Sequence, residues 1–489
     1  MTNCNRNYIA GSWVPGSAKI ENVNPSDTRE IIGIFEQGCS SDIDLAVTAG
    51  REAQKFWQAV GLEHRQSVLD SIGRELMTRS TELGELISKE EGKPRAEGIG
   101  EVYRSGQFFT WFAAEVLRQQ GDMVDSVRPG VEIAVRREPI GVIGIITPWN
   151  FPMAAASWKI APALAFGNAV VWKPANQTLA SAIALSQIIS KQDIPLGLFN
   201  LVMGPGSVVG RSMAQHAGIS GITFTGSVDT GRDVASTAMP ALQRLQLEMG
   251  SKNPLVVMKD ADISLAADAA VFSAFSGTGQ KCTAASRLIV HDSIHDEFVD
   301  ALLTRMKKIQ VGHALNADTT MGPVVSTQSL NSNQRYLEIA KKEGCELAWG
   351  GELLERDTPG FYMAPALLLH GKNDMRINRE EIFGPITCVI RVENYDHALA
   401  VANDTDFGLT AGIFTRSLSL ATHFQHNAEA GCVMINLPTA GTDYHVPFGG
   451  RKNSGFGPRE QGRYAVDFYT HVKTSYVRPG NPNELEISQ

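Results

Sequence analysis

Cysteine is scarce and scattered: six residues in 489, at positions 4, 39, 282, 345, 388 and 432, with no CxxC pair and no other metal-ligand spacing. That excludes a disulfide framework as an organising feature and suits a reducing, cytoplasmic compartment. Positive charge is also short. The 44 Lys and Arg stand against 52 Asp and Glu, a net charge of −8, which argues against a nucleic-acid surface. A long hydrophobic run is missing too. The most apolar stretch, 140–172, is cut by Pro148, Pro152, Lys159 and Pro162, so no membrane span is expected. The N-terminal MTNCNRNYIAGSWVPGS lacks the basic-then-apolar order of a signal peptide. No internal repeat or low-complexity tract is found. What is present is ordinary: 43% hydrophobic and 20% charged residues, in a chain long enough for two or three cores.

Residues 1–40 read as short strands and turns punctuated by Gly and Asn-Pro. Asp42 then caps a long helical region, with Val47, Val68, Leu69, Ile72, Leu76, Leu83 and Ile87 at helical spacing. Beyond Lys93–Pro94 a second helix carries Phe108, Phe109, Trp111 and Phe112, aromatics that read as core and could border a substrate tunnel. From 140 the pattern switches to apolar strands alternating with helices: GVIGIIT, NAVVWK, LFNLVM, GITFT and RLQLEM. A second series begins at Pro254, with LVVM, RLIV, ALLLH, ITCVI, GIFT and CVMIN. This alternation predicts an α/β protein of two Rossmann-like lobes, each a mostly parallel sheet covered on both faces. PGVEIAVRREP (129–139) and YTHVKTSYV (469–477) belong to neither series, and are expected to pair with something else, plausibly another subunit.

The stretch FSAFSGTGQKCTAASR (272–287) sets one cysteine among small residues. Gly277 and Gly279 free the backbone, and Thr283, Ala284 and Ala285 leave Cys282 clear. Lys281 and nearby N–H groups are candidates for favouring its thiolate. Taken alone, such a cysteine reads as a small buried hydrophobe. Glu248, beside glycine in QLEMGSKNP, turns the reading toward a nucleophile with a base. In TPWNFP (147–152), Asn150 is either a turn residue or an amide aimed at a developing oxyanion, supplemented by the Cys282 N–H. GPGSVVG (204–210) and FTGSVDTG (224–231) each follow a strand and open a helix. Neither is a GxGxxG, yet with Lys173 ending NAVVWKP they point to a dinucleotide crevice. His291 and His295, like His423 and His426, read as solvated helix positions, so no metal ligands are assigned.

PWNFP, KPA, FTGS, LEMGSKNP, GQKCTAASR, EEIFGP and PFGGRKNSG, in this order, resemble the aldehyde dehydrogenase superfamily over nearly the whole chain. The resemblance implies Cys282 as nucleophile, Glu248 as the base that activates the deacylating water and Asn150 as oxyanion donor. It implies a nicotinamide cofactor, NADP or NAD. Lys173 and Asn176 would meet the adenosine ribose, Gly206, Gly226 and Ser227 the pyrophosphate, and Glu381 the nicotinamide ribose. Trp149 and Phe383 would line the cofactor cleft. Trp158, Lys281, Thr283, His445 and Phe448 are the expected substrate-side residues, with Lys281 and His445 as candidates for attracting a carboxylate. The implied domains are a cofactor domain (1–118 with 141–249), a catalytic domain (250–453) and a β oligomerisation segment (119–140 with 466–489) that makes a dimer or tetramer.

Two departures stand out. Ser251 replaces the second glycine usual in LE-x-GG, which alters the turn. Asn176 stands where NAD-preferring members carry a glutamate, so NADP is expected to be accepted. The 435–477 segment is similar to enzymes that oxidise 2-oxoglutarate semialdehyde (2,5-dioxopentanoate), with succinate semialdehyde and aliphatic or betaine-type aldehydes as alternatives. A non-catalytic protein of this fold would have lost Cys282, Glu248 or Asn150. A cysteine hydrolase would need a histidine beside Cys282, and no motif supplies one.

Overall fold

A computed structural model describes residues 5–118 and 121–480. Every residue of Val142–Ile146 and of Ala169–Lys173 is buried, as continuous apolar runs between two helical layers must be. These strands lie in the middle of an eight-stranded sheet. Its parallel core runs Phe199–Leu201, Ala169–Lys173, Val142–Ile146, Gly221–Thr225, Arg244–Glu248. Strand order reverses between Val142–Ile146 and Gly221–Thr225, so the loops leaving their C-terminal ends diverge and open a crevice. The TPWNFP and FTGS loops leave from those two ends.

The second series forms a seven-stranded sheet. Its parallel strands run Ala366–Leu369, Ile386–Val392, Ala285–His291, Asn253–Val257, Thr410–Phe414, Cys432–Ile435, with Glu346–Trp349 antiparallel at one edge. Gly455–Phe456 comes back from this lobe to pair with the first sheet, setting Gly455 opposite Glu248. Each apolar run singled out in the sequence therefore forms a strand.

Two expectations change. The long helical region is three helices, Ser40–Ala59, Leu62–Thr78 and Ser80–Glu91, interrupted at Gly61 and Arg79. Asp42 sits three residues beyond the N-cap, where its carboxylate accepts the Cys39 N–H (2.8 Å). The two orphan segments pair with one another: Glu132–Pro139 lies antiparallel between Thr470–Val477 and Asp122–Asp125. Residues 119–120 and 481–489 of the expected oligomerisation segment lie outside the described residues, as does Cys4. The remaining cysteines are free thiols. No described helix is long and apolar enough to cross a membrane.

Candidate active site

The helix Ile263–Phe275 delivers the chain to Gly277, Thr278 and Gly279, whose φ angles are 58, 60 and 67°. Glycine adopts that region freely, while Thr278 is held there against its preference, its hydroxyl donating to the Gly322 carbonyl (3.1 Å). A Cβ on Gly279 would fall 2.3 Å from the Gly384 carbonyl, so the loop bearing the thiol packs directly on the EEIFGP loop. From the other side Asn253 Nδ2 donates to the carbonyls of Cys282 (2.8 Å) and Ala284 (2.9 Å). Cys282 thereby faces a cavity of ≈ 450 Å³, which Trp149, Asn150, Trp158, Glu248, Glu381, Phe383 and Phe448 also line.

Asn150 Nδ2 donates to the Gln280 carbonyl (2.9 Å), two residues before the nucleophile. One amide hydrogen is used there, and the second is available to the cavity. The loop itself is held by charges that the sequence did not single out. Buried Lys93 donates to the Asn150 carbonyl (2.6 Å) and to Glu101 (2.6 Å). The other Glu101 oxygen accepts the N–H groups of Met153 (3.0 Å) and Ala154 (3.2 Å). The Lys-Pro break was the only trace of this in the sequence.

Glu248 ends its strand almost fully buried and accepts the Gly450 N–H (3.2 Å). Burial first, then the Glu460 carboxylate nearby, push its carboxyl well above the usual range, opposed by Lys159, which pairs with Glu460. Glu381 accepts the Ser251 N–H (2.9 Å), and burial raises it to about 7. A Cβ on Gly250 would fall 2.0 Å from the Glu381 carboxylate, so a side chain there would displace that carboxylate from its place in the cavity. Ser251, the departure in this turn, hydrogen-bonds Asn253 Oδ1 (2.7 Å) and so joins the clamp on the Cys282 loop. Cys282 keeps part of its surface open to the cavity, yet protein surrounds the sulfur over the range that solvates charge. Burial, then the Glu381 and Glu248 carboxylates, push its thiol to about 12. The expectation of a favoured resting thiolate is therefore corrected.

A groove of ≈ 770 Å³ adjoins the cavity and shares Trp149, Thr225, Gly226 and Ser227 with it. Lys173, Asn176 and Gly206 line this groove, as expected for a dinucleotide crevice. Its lining fits that ligand on two observations. The buried Asn176 Oδ1 and Thr225 Oγ1 have no hydrogen-bond partner, leaving acceptors for sugar hydroxyls. Gly206 faces open space, where a Cβ would meet nothing within 4 Å. Ser227 caps the helix Val228–Ala238, which supplies free N–H groups at its start. Lys173 donates to the Pro174 carbonyl (2.8 Å) and burial lowers its ammonium to about 8. Arg211, absent from the sequence reading, also lines the groove; its signal was its place directly after GPGSVVG. Asp229 and Asp233 line it as well.

Three of the expected substrate-side residues lie outside this cavity's lining. Lys281 turns from the cavity to pair with Glu97 (2.9 Å) and Ser276 (2.9 Å). Thr283 is buried, its carbonyl accepting the Thr439 hydroxyl (2.8 Å), outside the cavity lining. His445 is exposed and packs edge-on to Trp111 (5.9 Å) and Tyr444 (5.5 Å). Trp158 and Phe448 do line the cavity. Trp149 and Phe383 meet edge to face at 5.5 Å at its junction with the groove. Phe383 holds a positive φ of 60°, a strained geometry of the kind that collects at functional sites.

A thiol, a carboxylate and an amide share one cavity, which opens onto a groove lined as a dinucleotide crevice would be. Comparison with known proteins agrees. Residues 13–475 match the aldehyde dehydrogenase family, and the chain belongs to that family. It is 40% identical over 479 residues to alpha-ketoglutaric semialdehyde dehydrogenase of Bacillus subtilis (strain 168), covering 97% of this chain and 98% of that one. It is 35% identical over 472 residues to 2,5-dioxopentanoate dehydrogenase of Saccharolobus solfataricus, covering 96% and 98%. The structure of betaine aldehyde dehydrogenase from Staphylococcus aureus in complex with NAD+ superposes with a TM-score of 0.95 at 34% identity, covering 98% and 96%. The protein is thus an oxidoreductase acting on aldehydes.

Proposed function

We propose that this enzyme oxidises a small acid semialdehyde, 2-oxoglutarate semialdehyde, to the corresponding dicarboxylic acid, and that it accepts NADP as well as NAD. The observation that carries the chemistry is Cys282, Glu248 and Asn150 lining one cavity that shares Trp149, Gly226 and Ser227 with the cofactor groove. The substrate rests on full-length likeness to two enzymes named for that aldehyde.

The Cys282 thiol gives its proton to water as Sγ adds to the aldehyde carbon, and the resulting oxyanion takes the free Asn150 amide hydrogen and the Cys282 N–H. A nicotinamide cofactor, when bound, would supply the hydride acceptor and a positive charge. Loss of hydride leaves a thioester on Cys282. Glu248 then takes a proton from water as its oxygen attacks the thioester, which frees the acid and returns the thiol. The raised carboxyl of Glu248 makes it a stronger base near neutral pH than an exposed glutamate. Lys173, Asn176, Ser227 and Glu381 hold the cofactor in this reading. Asn176 is neutral, and Lys173 and Arg211 offset Asp229 and Asp233 in the same groove, so residue 176 does not repel a 2′-phosphate.

Self-association is part of the reading. The three-stranded sheet exposes Val124, Val472 and Tyr476 on one face, an apolar face suited to a second copy of the chain. Initial rates of NAD(P)H appearance across an aldehyde panel test the substrate. The expected order puts 2-oxoglutarate semialdehyde first, above succinate semialdehyde, neutral aliphatic aldehydes and betaine aldehyde; a betaine aldehyde optimum would overturn it.

A further inference from the structure

The cavity around Cys282 contains two carboxylates, Glu248 and Glu381, and no lysine, arginine or histidine in its lining. An acid aldehyde brings a third negative charge. Leaving that charge against an apolar and acidic wall without a partner is unfavourable, so its carboxylate has to be met farther out. The wall continues through aromatic rings. Trp158 of the cavity meets Phe108 edge-on at 5.8 Å, Phe108 meets Tyr444 at 6.4 Å, and the Arg104 guanidinium lies 5.2 Å over the Tyr444 ring.

Arg104 and Phe108 are four residues apart on the helix Arg95–Val116, which places them on one face, the face turned toward Trp158 and Tyr444. Other arginines on or near this helix have carboxylate partners: Arg95 pairs with Glu85, and Arg118 with Glu115. Arg104 is half-buried, and among the described residues it makes no ion pair and no side-chain hydrogen bond. The surroundings are rich in donors. The indole N–H groups of Trp111 and Trp158 are buried without an acceptor. An unpaired guanidinium and two unpaired indoles around one aromatic cluster lack the group that a carboxylate supplies, a planar pair of acceptor oxygens.

We propose that Arg104, placed over the Tyr444 ring, is the residue that selects acid aldehydes, by pairing with the carboxylate remote from the reacting carbonyl. This rests on the acid-semialdehyde reading above and assigns its specificity to one side chain. The aromatic corridor would pass the carbon chain, and Arg104 would set which chains are retained.

The test compares kcat/KM for 2-oxoglutarate semialdehyde and for pentanal, a neutral aldehyde of the same carbon count, in wild type, Arg104→Met and Arg104→Lys. Arg104→Met is expected to lower kcat/KM for the acid aldehyde by about 10²-fold, mostly through KM, because a buried charge loses its partner. Pentanal is expected to change by less than about twofold, which also shows that the variant is folded. Arg104→Lys is expected to recover part of the loss, since it restores charge without the planar fork. Equal losses on both aldehydes, or an undiminished acid preference in Arg104→Met, would overturn the assignment while the acid-semialdehyde reading stands. A wild type that does not prefer the acid over pentanal would overturn that reading and the role of Arg104 with it.

Discussion

Cys282 rests in a charge state opposed to its function. Burial and two carboxylates push its thiol to about 12, so the thiolate is the rare form near neutral pH. The sign gives a direct prediction. Below a raised pKa the thiolate fraction grows about tenfold per pH unit. Inactivation of the cofactor-free enzyme by iodoacetamide should therefore climb steadily from pH 7 to pH 10, and a plateau below pH 9 would contradict the assignment. Asn176 supports a second prediction at this scale. Asn176→Glu places a carboxylate in a groove whose other charges include Lys173 and Arg211. It should lower kcat/KM with NADP about 10- to 100-fold, through a like-charge penalty of one to a few kcal/mol, and spare NAD. Steady-state kinetics with both cofactors in wild type and variant decide it, and a wild type that rejects NADP outright would show that residue 176 does not set the choice.

Among the elements, the loop between Val142–Ile146 and the helix Ala154–Ala165 depends most on distant charges. Lys93 grips the Asn150 carbonyl while Glu101 takes the N–H groups of Met153 and Ala154, so one buried ion pair holds the middle and the helix end of the segment carrying Asn150. Lys93→Met removes one partner and leaves Glu101 and Glu91 buried without their cation. The expected cost is about 3–5 kcal/mol of stability. Displacement of Asn150 should also lower kcat by up to about 10²-fold, with KM little changed. Thermal unfolding and kinetics measured together separate the two effects; a destabilised variant with wild-type kcat would show that the pair does not position Asn150.

Over the whole molecule, the strand Glu132–Pro139 joins the C-terminal strand Thr470–Val477 to the rest of the chain through an eight-residue antiparallel ladder. The face of this three-stranded sheet that exposes Val124, Val472 and Tyr476 predicts a dimer or tetramer. Sedimentation velocity at micromolar concentration should show it, and Val472→Asp with Tyr476→Asp should shift the species toward monomer. A wild-type monomer would exclude assembly through this face.

Much of this was legible in the sequence alone. Strands buried on both faces must be continuous apolar runs, so GVIGIIT, NAVVWK and their counterparts announced themselves. Gly277 and Gly279 marked a backbone that takes positive φ, and the residues of PWNFP, LEMGSKNP and GQKCTAASR were collected correctly around one cavity. Those features depend on local backbone rules and on short motifs. The tertiary structure alone decided the rest. It paired Lys281 with Glu97, 184 residues away, placed Lys93 behind Asn150, laid Arg104 on Tyr444 and raised the thiol of Cys282. A charge responds to burial and to whichever groups lie within a few ångströms, and in a folded chain those neighbours come from segments that no local pattern connects.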